Sequence, residues 1–433
     1  MPTLRLFLAW LVLAQLLPAV ATGPARAEGP PTGIQVAPAV PAPFAETPGT
    51  PMAGAPGRKV IFGHEVEIPA WDRSRVTALT FGGSGFFPPQ GRTDLFPLAA
   101  LYFRRGSEEG RGRGIVAIFM NELEFDRYWH PWEWIATFDS STLPYGQTVV
   151  TDGREIGKTA VFWGTALGGL GLGYRIPVAP LEVDNDLRLQ LMGRAGYFFA
   201  RRNDSTGASQ IIPPDTPLYG ARLRGRYDGL RRNILELPHR GIAAGFDLDY
   251  LHRSHWRAVS DEARANRDFL QGTGYLVTAA DLPGLSEKNR LLLGGYAGTT
   301  LGEGRGDRYN AFRINGSPLP GESDELAHPR FQAAVFDDAL VTDYLLASIA
   351  YRRELLFFLY LTLEGSFIRA NRATIAGDDQ VVFRRTDAFA GTIALDSAFF
   401  WNSALYLAYA WDSGFIRGGK PGSGVILTWT FAF

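Results

Sequence analysis

Residues 424–433, GVILTWTFAF, decide the fold. Val425, Leu427, Trp429, Phe431 and Phe433 share one parity, and Thr428, Thr430 and Ala432 share the other. Alternation with a period of two is a β-strand with one strongly apolar face and one milder face. The strand runs into the C-terminus with no polar tail. An unpaired apolar edge invites aggregation in water. A closed transmembrane barrel instead needs a last strand that pairs with its first and carries aromatics at the membrane interface. The expected fold is all-β, a transmembrane antiparallel β-barrel of the bacterial outer membrane.

The other end of the chain agrees. Arg5 supplies a positive charge ahead of the apolar run LFLAWLVLAQLL at 6–17. Ala25-Arg26-Ala27 then offers a small-x-small cleavage site before Glu28, with Ala19-Val20-Ala21 as the alternative. This layout predicts a signal peptide over 1–27, the apolar run being shorter than the ~20 residues a spanning helix needs. Residues 28–57 are rich in Pro, Ala and Gly, show no apolar periodicity, and read as a flexible periplasmic segment. Residues 58–433 are left for the barrel.

Composition excludes several classes. No cysteine occurs in 433 residues, so an exported disulfide scaffold is ruled out. Fifty Gly with 29 Phe, 16 Tyr and 10 Trp suit tight curvature and aromatic girdles. A net charge of −1 gives no footprint for a nucleic-acid partner.

From residue 58 the chain repeats one unit, an alternating run followed by a turn or polar loop. Strands are predicted at 58–67, 75–86, 95–105, 113–127, 132–140, 160–177, 186–202, 217–230, 241–256, 267–280, 289–301, 342–353, 356–369, 386–396, 402–411 and 424–433. Sixteen is the even number that a bacterial barrel requires, and fourteen follows if the first two are left out. Short connections at 353–355 and 397–401 alternate with long polar ones at 203–216, 302–341, 370–385 and 412–423. The short ones are expected in the periplasm and the long ones outside the cell.

Two neighbouring strands carry a charge pattern. Arg222, Arg224 and Arg226 alternate with small and apolar residues, and so do Asp247 and Asp249. Both rows must face the lumen, because Arg at the lipid midplane costs about 2–4 kcal/mol. They read either as an ion-pair ladder holding the register or as a charged wall that guides a solute.

Catalytic signals are weak. His252 and His255 flank Arg253-Ser254, but the stretch supplies neither the orienting group nor the oxyanion donor that a Ser-His site needs. No cluster has metal-ligand spacing. The chain is expected to be no enzyme and to use no cofactor or metal.

The loop at 302–341 is glycine-rich and precedes the strand TDYLLASIAYRREL, which ends in Tyr351-Arg352 before Arg353. With sixteen strands and a long loop after the eleventh, the chain resembles the bacterial surface-antigen family, the barrels of BamA/TamA-type outer-membrane assembly factors. The resemblance implies a loop folded back into the lumen, with a tip arginine meeting an acidic residue on a following strand. Carried onto this sequence, Arg313 in Phe312-Arg313-Ile314-Asn315-Gly316 is the loop arginine, Gly316 the tip glycine, and Glu364 the acidic partner. The family's Arg-Gly-aromatic triplet is absent at this tip. Trp429, Phe431 and Phe433 resemble the terminal signal read by the barrel assembly machinery during biogenesis. The resemblance implies a role in inserting or transporting outer-membrane protein or lipid, in contact with outer-membrane lipid and lipopolysaccharide. Because 28–57 is too short for the periplasmic domains of such factors, client recruitment would fall to a separate periplasmic partner. The alternative is a passive, porin-like solute channel.

Overall fold

A computed structural model describes residues 44–433 apart from 88–93, 118–119, 143–145, 260–266, 302–306, 315, 317–324, 333–338, 378–379 and 399–402. The predicted signal peptide and residues 28–43 lie outside the described residues. Met1–Ala45 is one unit and Glu46–Phe433 is the other, and the second holds the barrel.

In chain order the strands are β1 (Gly57–Ile61), β2 (His64–Ile68), β3 (Arg75–Phe87), β4 (Asp94–Ser107), β5 (Gly110–Ala117), β6 (Met120–Trp129) and β7 (Trp132–Thr142). Next come β8 (Gln147–Thr151), β9 (Arg154–Pro177), β10 (Asp186–Arg201), β11 (Thr216–Asp228), β12 (Arg231–Arg232), β13 (Pro238–Arg253) and β14 (Asp268–Asp281). The series ends with β15 (Asn289–Leu301), β16 (Phe312–Ile314), β17 (Ala339–Leu356), β18 (Leu359–Ala376), β19 (Gln380–Ser397), β20 (Ser403–Asp412) and β21 (Gly422–Ala432). The short β8, β12 and β16 ride on β9, β13 and β17. The other strands from β3 onward close a sixteen-stranded antiparallel barrel.

The ring closes where the terminal strand meets the first. Ten registered pairs join β21 to β3, from Ser423 opposite Phe87 to Ala432 opposite Ala78. Beyond them, Phe433 N–H donates to Thr77 O at 2.8 Å. Closure leaves no edge unpaired in the hydrocarbon. Leu427, Trp429 and Phe433 are exposed on the outer face, while Ile426 and Thr428 are buried inside. The period-two reading of this stretch therefore sets the faces correctly. The belt continues around the barrel through Leu187, Leu189, Leu191, Ile349 and Ile393, with Trp132 packed edge-on against Tyr174 at 5.3 Å.

Sixteen is the observed count, but two of the expected members change. The run 58–67 is no barrel strand. Phe62 and Gly63 both have positive φ and fold it into the separate β1–β2 hairpin, the geometry a two-residue turn imposes. The run 113–127 is two strands, β5 and β6, with Val116 opposite Asn121. Residues 115–120, IVAIFM, are one apolar run with no Gly, Pro or Asp to mark a break. The expected loop at 370–385 is mostly strand, since β18 reaches Ala376 and β19 resumes at Gln380.

The lumen is lined unevenly. From β5 to β13 the inward residues around the periplasmic half are mainly Arg, Asp and Glu, and those above them, such as Trp163, Phe198 and Leu251, are apolar. From β14 through β21 to β4 they are largely apolar, including Phe86, Phe96, Leu346 and Ile368. The segment ahead of β3 lies against the turn 229–237, the end of the barrel with mostly short turns, which is the periplasmic end.

Candidate functional site

The charged wall grows out of strand register. β11 pairs with β13 so that Arg222 faces Asp249 and Arg224 faces Asp247. Arg222 Nη2 donates to Asp249 Oδ2 at 2.7 Å, and Arg226 Nη2 to Asp247 Oδ2 at 2.5 Å. Arg224 reaches Asp247 at 3.4 Å and, across the lumen, Glu124 at 2.7 Å. The predicted ladder is thus brought together as pairs.

It is also part of something larger. Glu124 on β6 receives Arg111, Arg113 and Arg224 within 2.9 Å of each. Asp126 receives Arg111 at 3.0 Å and Arg188 at 2.9 Å, and Arg188 also reaches Asp186 at 2.5 Å. Arg194 joins Asp139 to Asp249. Sequence reading missed the β5–β6 members, although Arg111-Gly-Arg113 and Glu124-Phe-Asp126 carry the same period-two signal. Each carboxylate shared by several guanidiniums offsets the desolvation that an isolated buried charge would suffer. The lattice surrounds a cavity of about 100 Å³ in the periplasmic half, lined by Arg188, Arg224, Arg226, Arg232, Tyr275 and Leu326 among others.

Above the cavity, the loop between β15 and β17 turns inward. This is the connection after the eleventh barrel strand. Asp307 is buried and accepts from Arg253 Nη1 at 2.7 Å, and the Arg253 guanidinium lies 3.7 Å from the ring centre of Trp256. Asp307 Oδ1 also accepts the N–H groups of Tyr309 and Asn310, a local turn that fixes the tip. Arg308 donates to Thr159 O and to Gln147 O, both at 2.8 Å. Tyr309 packs edge-on against Trp163, Phe198 and Trp256, with centroids 5.5–5.9 Å away. Farther along, Ile314 and Phe331 are fully buried among the apolar lining, Phe331 lying 5.1 Å from Phe415. Leu326 and Ala327 pack deeper, against Leu230, Ala243, Tyr275 and Ala279.

Other loops roof the extracellular end. Arg372 donates to Val150 O and Ile416 O at 2.8 Å, and Asp152 N–H and Gly153 N–H donate to Gly418 O and Arg417 O. The β8–β9 hairpin is thereby tied to the segment 413–421.

The expected loop residues have other neighbours. Arg313, on β16, lies 4.4 Å over the Trp163 ring. Gly316 is buried nearby in sequence. Glu364, on β18, accepts from Ser366 Oγ at 2.8 Å and stands opposite Ala350 and Thr392. The tip contacts that sequence reading missed, Asp307, Arg308 and Tyr309, sit six to four residues before Arg313. Only the local string Arg-Gly-Asp-Arg-Tyr at 305–309 could have flagged them.

His252 is on the outer face. Its Nδ1 is 2.9 Å from Asp268 Oδ1, to which Tyr250 OH also donates at 2.6 Å. His255 N–H donates to Thr216 Oγ1.

The chain is an outer-membrane β-barrel. No family model and no curated protein matches it. Among solved structures it is similar to BamA from Haemophilus ducreyi lacking POTRA domains 1–3, at 10% identity and a TM-score of 0.49, covering 88% of this chain and 75% of that one. It is also similar to CdiB from Acinetobacter baumannii, at 10% identity and a TM-score of 0.48, covering 86% of this chain and 63% of that one. OmpT of Vibrio cholerae matches at 10% identity in its loop-L8 deletion form, with a TM-score of 0.38 and coverage of 82% and 98%. The barrel has sixteen strands, with the inward loop after the eleventh.

Proposed function

We propose that this barrel acts on the insertion or transport of outer-membrane protein or lipid, as surface-antigen barrels do, and is no passive solute channel. The observation that carries this reading is the loop inside the lumen. Tyr309 is caged by three aromatic rings, and Arg308 is clamped on two backbone carbonyls. Passive diffusion needs a continuous water path, and the loop together with the Arg372-tied roof obstructs one. The proposed role is non-enzymatic: His252 faces outward with Asp268 and Tyr250 and takes no part in the lumen. Its surroundings are outer-membrane lipid and lipopolysaccharide, with Trp429, Phe431 and Phe433 read by the assembly machinery during biogenesis. A separate periplasmic protein delivers the client.

Planar-bilayer recording and cell depletion test the proposal together. The intact protein should be almost silent, deletion of 307–314 should open large conductance steps, and depletion should alter the protein or lipid content of the outer membrane. A steady conductance in the intact protein, with ion selectivity that moves when Arg222, Arg224 and Arg226 become Gln, would establish the porin-like channel instead.

A further inference from the structure

The segment ahead of the barrel folds across the periplasmic mouth. Thr50 and Ala53 are buried there. Thr50 Oγ1 donates to Glu354 Oε2 at 2.5 Å, Ala53 N–H to Arg232 O at 3.1 Å, and Ile234 N–H to Pro51 O at 3.0 Å. Met52 forms an antiparallel bridge with Asn233. Residues 49–53 thus lie as a strap along the turn 229–237. The β1–β2 hairpin braces the strap from behind, Lys59 Nζ donating to Thr47 O and Gly49 O at 2.7 and 2.6 Å. Trp71 N–H returns to Gly54 O, so the excursion begins and ends at one point.

Its attachment is unequal along its length. After the hairpin, Arg73 is 5% exposed and grips both oxygens of Glu236 at 2.8 and 2.6 Å and Glu182 at 2.8 Å. A bidentate, charge-assisted grip of this kind is strong. Residues 49–53 hold by the Thr50 hydroxyl on Glu354, backbone hydrogen bonds and small side chains, without a bidentate guanidinium grip like that of Arg73, and such a contact set opens before the anchor does. Pro238 lines both the charged cavity and the recess that Thr50 helps to line. The strap therefore stands between the periplasm and the cavity.

We propose that residues 47–71 form a gate, in which the strap closes the periplasmic mouth and swings away about the Arg73 anchor to admit a polar segment of a client into the charged cavity. This inference rests on the reading of the lumen as a transport compartment. The hairpin is the lever: it is joined to the strap through Lys59 and Gly54 and leaves Val60 and Phe62 exposed, Phe62 by 89%.

Thiol labelling tests the gate, since the chain has no cysteine of its own. In the full chain, Leu326→Cys places one thiol on the cavity wall, and a water-soluble maleimide applied from the periplasmic side reads access to it. Adding Thr50→Val and Ala53→Pro removes two strap bonds and should raise the labelling rate at least tenfold, with heat-modifiable mobility unchanged. Should that variant fail to fold, Met52→Cys with Asn233→Cys makes the opposite change. Once mass spectrometry shows the cystine joining 52 to 233, Cys introduced at 326 should label at least tenfold more slowly than without it, and reductant should restore the rate. Equal rates in the locked, native and loosened proteins would overturn the gate whatever a client assay shows. Strap-dependent labelling in a protein whose depletion leaves outer-membrane composition unchanged would keep the gate and retire the transport reading.

Discussion

The two sectors of the barrel wall hold their shape by different means. Between β5 and β13, arginines and carboxylates on adjacent and facing strands satisfy one another through the lumen, with Glu124 and Asp126 as the shared acceptors. Between β14 and β4 the lining is largely apolar, interrupted by buried groups such as Arg290, Glu354 and Arg372, and residues of the inserted loop, Ile314 and Phe331, complete it. The Glu124–Asp126 lattice of the first sector stands on its own strands, and the loop tip, Asp307 to Tyr309, docks beside it on Arg253, Thr159 and the Trp163 ring. The second depends on a segment that arrives from a loop. A barrel built this way can release its loop without losing its charged wall, which is what a moving plug requires.

Removing the shared acceptor should produce the largest effect. Glu124→Ala strips a common partner from Arg111, Arg113 and Arg224 and should destabilise the barrel by about 3–5 kcal/mol. Urea unfolding followed by tryptophan fluorescence would measure it, and bilayer conductance should stay at the wild-type level. A change in conductance with little loss of stability would erase the distinction between the sectors.

Next in size is the aromatic cage. Tyr309→Ala should cost about 3 kcal/mol through the cavity it leaves. Unlike the Glu124 change, it should also produce conductance bursts, because the inserted loop loses its central contact. Silent membranes from this variant would mean that the loop is held elsewhere.

A sharper question concerns Arg313 and Glu364. Arg313 lies over Trp163 and Glu364 against Ser366, so their alanine variants should be additive, with a coupling energy below about 0.5 kcal/mol in a double-mutant cycle. A coupling above that would reinstate the pair that the family resemblance implies.

The smallest effect is set by pH at the periplasmic rim. Burial pushes the Asp184 carboxyl up, but Arg104, Arg232, Arg111 and Arg73 more than offset this and hold it well below the usual carboxylate range. A carboxylate depressed on folding contributes stability above its unfolded value of about 3.9, and that contribution is lost progressively as pH falls from there through the lower folded value. Thermal stability should therefore be flat in this respect from pH 8 to 5. The wild type should lose stability below about pH 4, and Asp184→Asn should lack that part of the decline.

Much of this was legible in the chain because barrels write their faces with period two. Residues 424–433, 186–201 and 216–228 alternate cleanly, so their inward and outward sides followed at once. The break between β5 and β6 was hidden because IVAIFM at 115–120 is one apolar run with no turn residue in it, and the hairpin at Phe62-Gly63 because its strands look like any other short strand. The cage around Tyr309 could not be read at all. Trp163, Phe198 and Trp256 are 146, 111 and 53 residues away in sequence, and only closure of the ring brings them to one place. The charged wall was half legible: Arg222 to Arg226 and Asp247 to Asp249 face each other across one pairing, whereas Glu124 reaches them from across the barrel.

The shared carboxylate at Glu124 also governs how such a sequence can evolve. A residue answering to three arginines on two separate strands has almost no single-step replacements, since any one change strands several charges. Positions 111, 113, 124 and 224 should therefore drift together or not at all among descendants of this chain, while lipid-facing leucines such as Leu187, Leu189 and Leu191 exchange freely with other apolar residues. Common ancestry should be easiest to detect in the interior of the periplasmic half, even where the outer surface has lost all resemblance.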